Sequence, residues 1–353
     1  MAIKNYFEAL LTFIPKLIIL TCFFISPIAC FNIDKKTNVD KEYLSGFKIK
    51  GISMVAPVNV IDATVLEPII NINAKSIAIM PYAFCTTENP VIQFNYNKQW
   101  WGESDAGVIG SIQLAHSKNL SVMLKPHLWI AHGMYTGDFI LRSEKEWKLW
   151  QDSYLDYIVH FANIADSLKA ELFCIGVELG ETIKQRPQFW SWLIDSIRQV
   201  YHGKLTYASN WDDYKNFPFW EKMDYIGVDA YFPLVKHETP SVNSIKKGWQ
   251  KYCNELEQLS KKLDRPVLFT EYGYRNIDYN CAEPWKENEG HQNDAAQTNA
   301  YEAFFQMFSG KKWFAGGYVW KWYVDDTRLH KKEIDFTPQD KPAANLIKKW
   351  YSN

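Results

Sequence analysis

The sequence predicts a single (β/α)8 barrel, and three observations carry that prediction. Eight short apolar runs, at 47–55, 76–84, 121–128, 171–177, 204–209, 223–229, 266–270 and 314–320, are rich in β-branched and aromatic residues and bounded by turn formers, as buried parallel strands are. Stretches of helical spacing lie between them. No Pro/Gly/Ser-rich linker divides the 353 residues, so the repeats fit one closed barrel better than two doubly wound domains.

In chain order, the first thirty residues stand apart from the fold. Lys4 and Lys16 flank a weakly charged start, and Leu17 to Ala29 is apolar except for Thr21, Ser26 and Pro27. That stretch is short for a membrane span and ends in Ile28-Ala29-Cys30, so residues 1–30 read as a signal peptide and export is expected. Cys30 after a small residue is similar to a bacterial lipobox, although Pro27 stands where leucine is favoured. A lipid anchor at Cys30, in the periplasm or at the cell surface, is therefore expected, with cleavage after Ala29 and secretion as the alternative. Residues 31–45 form a polar tether, and 46–353 form the barrel domain.

The intervening helices are read from 3.6-residue periodicity. Ser143 to Lys169 keeps Trp147, Trp150, Tyr154, Tyr157, Ile158 and Phe161 on one face, and 188–200, 242–263 and 294–309 behave alike. The last helix, Asp340 to Trp350, is expected to be capped by Asp340 with Pro342 near its start.

In such a barrel, chemistry sits at the carboxyl ends of the strands. Two of those ends carry glutamate: Glu178 follows Phe173-Cys174-Ile175-Gly176-Val177, and Glu271 follows Pro266-Val267-Leu268-Phe269-Thr270. A carboxylate closing a buried run is hard to explain as core. One glutamate alone is as well explained by an ion pair at the rim, with Lys125 or Arg275. A pair facing one cleft can do acid/base and nucleophilic work on an acetal. The other strand ends are Lys125-Pro126-His127-Leu128-Trp129, Ser209-Asn210-Trp211-Asp212, Asp229-Ala230-Tyr231 and Trp320-Lys321-Trp322. Asp229 is expected only to fix a neighbouring loop. The polar loops 131–139 and 277–293, with embedded aromatics, are expected to wall the cleft.

Bulk composition removes other classes. The net charge is −1 with no basic block, so nucleic acid and anionic membrane have no electrostatic claim on the chain. Fifteen Trp, 20 Tyr and 21 Phe exceed ordinary packing needs, and aromatic rings are natural platforms for sugar faces. Cys85, Cys174, Cys253 and Cys281 show no C-x-x-C pattern, and the eight histidines show no H-E-x-x-H, so neither a disulfide framework nor a metal is implied.

The motifs Gly176-Val177-Glu178-Leu179 and Thr270-Glu271-Tyr272-Gly273, with Lys125-Pro126-His127 and Trp320-Lys321-Trp322, together resemble glycoside hydrolase family 113 over about residues 47–325. That family belongs to the retaining (β/α)8 clan and is known for β-1,4-mannanase activity. The resemblance implies Glu178 as general acid/base, Glu271 as nucleophile, no cofactor, and β-1,4-mannan or its oligosaccharides as substrate. Val177 departs from the clan, which places Asn before the acid/base to hold the sugar 2-hydroxyl, so Asn210 is expected to make that contact. Tyr231 is expected to donate to Glu271, and Trp320 to floor the cleaved subsite with Trp322 beside it. His127 and Lys125 are expected to grip hydroxyls or orient Glu178, and Trp101, Trp129 and Trp211 to serve neighbouring subsites. The competing readings are a hydrolase of another β-glycan, such as β-glucan or chitosan, and a glycan-binding surface lipoprotein without turnover.

Overall fold

The computed structural model describes residues 49–286, 290–325 and 333–352. The expected signal segment, Cys30 and the expected tether lie outside the described residues. In chain order the strands are β1 (Ile49–Met54), β2 (Ser76–Ile79), β3 (Tyr82–Cys85), β4 (Ser121–Leu124), β5 (His127–Ile130), β6 (Leu172–Val177), β7 (Lys204–Asn210), β8 (Ile226–Asp229), β9 (Val267–Tyr272) and β10 (Phe314–Trp322). Eight of them close a parallel barrel in the order β1-β10-β9-β8-β7-β6-β4-β2, with β2 hydrogen-bonded back to β1. The helices are α1 (Glu67–Asn71), α2 (Asp105–Ser117), α3 (Glu144–Ser167), α4 (Gly180–Gln185), α5 (Pro187–Val200), α6 (Val242–Leu263), α7 (Asp294–Phe308) and α8 (Pro342–Tyr351). None of the described helices is long and apolar enough to cross a membrane.

Strand alternation sorts the core into two regions. Ile77, Ile79, Val122, Leu124, Phe173 and Ile175 pack with helix residues such as Trp150, Tyr154 and Trp190 in one large cluster. Their neighbours of opposite parity, Ala78, Met123 and Leu172, join Leu268, Ala315 and Tyr318 in a separate one. Period-two alternation makes the second cluster the barrel interior. Small residues there accommodate large ones: a Cβ on Gly51 would sit 2.4 Å from the Tyr318 ring.

Helix starts follow local chemistry. Ser143 and Glu146 make a reciprocal capping box at α3, Pro187 opens α5, and Ser241 accepts from the Ser244 amide at α6. Pro342 opens α8, but Asp340 is not its cap. Asp340 lies at φ 59°, and Lys341 occupies the cap position without a side-chain bond. Helix α2 has no counterpart in the periodicity reading, because apolar and glycine residues occupy more than one of its faces.

Two expected strands divide. The run 76–84 splits into β2 and β3, and 121–128 into β4 and β5, at Met80-Pro81 and Lys125-Pro126. Proline has no N–H to donate and disfavours a continued ladder. The Lys125 amide still reaches the Ile79 carbonyl at 2.9 Å and the His127 amide the Pro81 carbonyl at 2.8 Å. Beyond the prolines, β3 and β5 keep each other as partners but leave the barrel and form a two-stranded sheet above it. Tyr157 of α3 clamps the junction, donating to the carbonyls of Pro81 at 3.2 Å and His127 at 2.8 Å.

Candidate active site

The turn that presents Glu178 is strained. Strand β6 ends at Val177, and Glu178 follows at φ 52°, a left-handed conformation rare outside glycine and frequent at functional sites. Strand β7 holds it there: the Glu178 amide donates to the Ala208 carbonyl at 2.8 Å, and the Leu179 amide to the Tyr207 hydroxyl at 2.6 Å.

Glu271 is positioned differently. Strand β9 does not stop at Thr270 but runs through Glu271 to Tyr272, and Glu271 pairs in register with Asp229 of β8. A charged side chain is tolerated inside the ladder because it is fully partnered. Lys125 donates to Glu271 Oε1 at 2.5 Å and Tyr231 donates to Oε2 at 2.8 Å. Lys125 is 0% exposed and also reaches Asp229 Oδ1 at 3.1 Å, while Thr270 Oγ1 donates to the same oxygen at 2.7 Å.

These contacts correct two expectations. Lys125 does not reach the cleft, so it grips no hydroxyl; its ammonium lies beneath the site between two carboxylates. Asp229 does not serve a loop but shares that ammonium. Burial is the largest influence on Lys125 and opposes its charge, yet Asp229 and Glu271 outweigh it and hold the ammonium above its ordinary range.

The glutamates face unequal fields. Burial is the main cause raising the Glu178 carboxyl well above the usual carboxylate range, and Asp229 and Glu271 push it further. Among the described residues no donor is bonded to that carboxyl. Burial, then Asp229, also raise Glu271, to about 7, but Lys125 and Tyr231 pull against them by charge and hydrogen bonding. Glu178 is therefore the member that keeps a proton, and Glu271 the one that ionises first.

Both carboxyls line one cleft of about 700 Å³. Asn210, Tyr231, Trp211, Trp129, His127 and Trp320 line it too. His127 is buried, yet its Nε2 has no hydrogen-bond partner among the described residues and stands 3.8 Å from Glu271 Oε1. Burial and the nearby Lys125 charge hold the imidazole neutral. Its ring lies between Tyr82, at 4.9 Å, and Trp320, stacked at 6.2 Å. Asn210 accepts from the Trp211 amide at 2.9 Å, and Tyr135 lines the same cleft. Trp211 stacks on Trp285 at 5.0 Å.

Two expected sugar contacts lie elsewhere. Trp322 is 4% exposed and belongs to the main core, because its carbonyl accepts the Val55 amide at 2.9 Å and so holds it in the ladder with β1. Trp101 does not line the cleft. It packs on α2, where a Cβ on Gly110 would lie 3.0 Å from its ring. Conversely, Tyr82, Tyr135, Asp212, Trp285 and Phe336 line the cleft without having been singled out. Tyr135 and Trp285 come from the two loops expected to wall it; Phe336 follows β10 and carries no sequence signal. Among the described residues no group of His, Cys, Asp or Glu could hold a metal ion, and the four cysteines are buried free thiols.

Two carboxyls of unequal proton affinity in an aromatic cleft, at the strand ends of a closed (β/α)8 barrel, define the class as a glycosidase. The sequence profile of Glycoside Hydrolase Family 113 matches residues 62–345, and the chain belongs to that family and is a glycoside hydrolase. It is similar to the β-mannanase AaManA from Alicyclobacillus acidocaldarius, solved in complex with ManMIm, at 22% identity and a TM-score of 0.76, over 88% of this chain and 99% of that one. A GH113 β-1,4-mannanase structure is similar at 25% identity and a TM-score of 0.75, over 87% and 99%. A Ruminococcus gnavus β-glucuronidase shares the fold at 12% identity and a TM-score of 0.60, over 86% of this chain and 50% of that one. No curated protein matches the chain.

Proposed function

We propose that the chain hydrolyses β-1,4-linked mannan or manno-oligosaccharides with retention of configuration, using Glu271 as nucleophile and Glu178 as acid/base. The observation that carries the reading is the unequal pair in one cleft: Glu271 has two donors and Glu178 has none among the described residues. In the first step a Glu271 oxygen attacks the anomeric carbon, the glycosidic C–O bond breaks, and the Glu178 proton goes to the leaving oxygen. The glycosyl ester removes the Glu271 charge, and Glu178 becomes more acidic. As a carboxylate it takes a proton from water, whose oxygen displaces Glu271 and frees the sugar.

The β-mannan preference is supported by the family and by the β-mannanases among similar structures. Val177 cannot bond a 2-hydroxyl. The Asn210 amide and the unpartnered His127 Nε2 are the groups in the cleft suited to replace that contact. An exported, lipid-anchored location through Cys30 belongs to the same proposal.

The test is kinetic and stereochemical. Glu271→Ala and Glu178→Gln should each lower kcat on β-mannan by about 10²–10⁴ or more in protein that still unfolds cooperatively, Glu271→Ala being the less stable because it strips Lys125 of one of its two carboxylates. Azide should restore part of the turnover of Glu178→Ala on a substrate with an activated leaving group. Parental rates in either variant, or an inverted first-formed anomer by NMR, would reject the assignment.

A further inference from the structure

The small sheet above the barrel carries an aromatic face that does not stop at the cleft wall. On it, period-two alternation places Tyr82 and Phe84 of β3 on the side that carries His127 and Trp129 of β5. Tyr82, His127 and Trp129 line the cleft. Phe84 is the register partner of Trp129, and on its other side Phe84 exchanges two backbone hydrogen bonds with Gln93, at 2.9 and 2.8 Å. Gln93, Phe84 and Trp129 thus stand abreast on three neighbouring backbones. At about 4.8 Å between strands, the row reaches about 10 Å outward from Trp129.

The row is open and preset. Trp129 is 52% exposed, Tyr96 is 42% exposed, and Gln93 is exposed. Tyr96 meets the Phe84 ring edge-on with centroids 6.1 Å apart. Its loop is tied to β3, since the Tyr96 amide donates to Gln99 Oε1 at 3.1 Å and Gln99 Nε2 donates to the Tyr82 carbonyl at 2.6 Å. None of the four side chains carries a charge. Ring faces accept the C–H face of a pyranose, and a primary amide both donates to and accepts from hydroxyls.

We infer that Gln93, Phe84, Tyr96 and Trp129 extend the cleft into a track for further sugar residues of one uncharged polysaccharide chain, so that the enzyme favours long chains over short ones. The inference rests on the glycan-hydrolase reading above. Continuity with the cleft selects the occupant: a chain leaving the cleft past Trp129 meets Phe84 next.

The experiment compares kcat/KM on mannohexaose with kcat/KM on an aryl β-mannobioside, in the parent, Tyr96→Ala, Gln93→Ala and Phe84→Ala/Tyr96→Ala. In the double variant the long-to-short ratio should fall about tenfold, the scale expected for removing two stacking rings. Phe84→Tyr, which keeps a ring, should retain the parental ratio. An unchanged ratio in a folded double variant overturns the track. Should that variant fail to fold, Tyr96→Ala decides, since its ring is already exposed; a fall of about threefold supports the track and no fall overturns it. A parent that cleaves no β-mannan of any length fails the functional reading and the track with it, whereas an active parent with indifferent variants fails the track alone.

Discussion

Replacing Lys125 by methionine keeps the length and removes the charge in a space where the ammonium touches Glu271 at 2.5 Å and Asp229 at 3.1 Å and no solvent reaches it. An opposite charge at that range lowers a carboxyl pKa by about 1–3 units, so its loss should raise Glu271 by the same amount. At about 1.4 kcal/mol per unit this is about 1.4–4 kcal/mol, which agrees with the 3–5 kcal/mol typical of breaking a buried ion pair from one side. Two readouts follow. The acid limb of kcat/KM on an aryl glycoside should move up by about 1–3 pH units, because Glu271, the proposed nucleophile, must ionise without its cation. The stability deficit, measured by thermal unfolding, should be larger at pH 9 than at pH 6. The sign follows from linkage: a carboxyl whose folded pKa lies above its unfolded value loses stability as pH rises between the two, and the variant extends that window upward from about 7. An acid limb at the parental position in a folded Lys125→Met protein would refute the argument.

Further expectations concern the neighbours of the pair. Tyr231→Phe removes the donor to Glu271 Oε2 at 2.8 Å, a bond to a charged group worth about 1.5–3 kcal/mol, so kcat/KM should fall about 10- to 150-fold with the acid limb moved upward; an unmoved limb contradicts this. Lys341 donates to Thr337 O at 2.8 Å and Asn276 Oδ1 at 3.1 Å, and burial brings its pKa down to about 8. Lys341→Met should therefore cost about 1–3 kcal/mol in denaturant unfolding at pH 7. The gap to the parent should widen between pH 8 and 10.5, since there the unfolded parent binds the proton that the folded one has lost; a gap constant across that window argues against it.

The barrel was legible because its evidence is local: apolar runs of strand length, helical spacing, and acids at the ends of two runs. What escaped was mostly long-range. Lys125 and Glu271 are 146 positions apart, and Lys125 and Asp229 are 104 apart, so nothing near any of them announces a shared ammonium. That partner is why β9 continues through Glu271, where sequence reasoning ends the strand at Thr270. Pro81 and Pro126 were visible, but a count of apolar residues carries straight across them; only the missing amide explains the division. Trp101 and Trp322 show the limit of reading tryptophan as a sugar platform. At Trp101 the smallness of Gly110 on α2 decides the packing, and at Trp322 the ladder with β1 does.

The prolines have one more consequence. Glu178 and Glu271 are carried by strands bonded on both sides into the closed ring, whereas Trp129 and Phe84 belong to a two-stranded ribbon that pairs beyond it. A change of side chain at Phe84 or Trp129 therefore falls outside the ladder that fixes the two carboxyls, so the outer surface and the acid pair are separable in sequence.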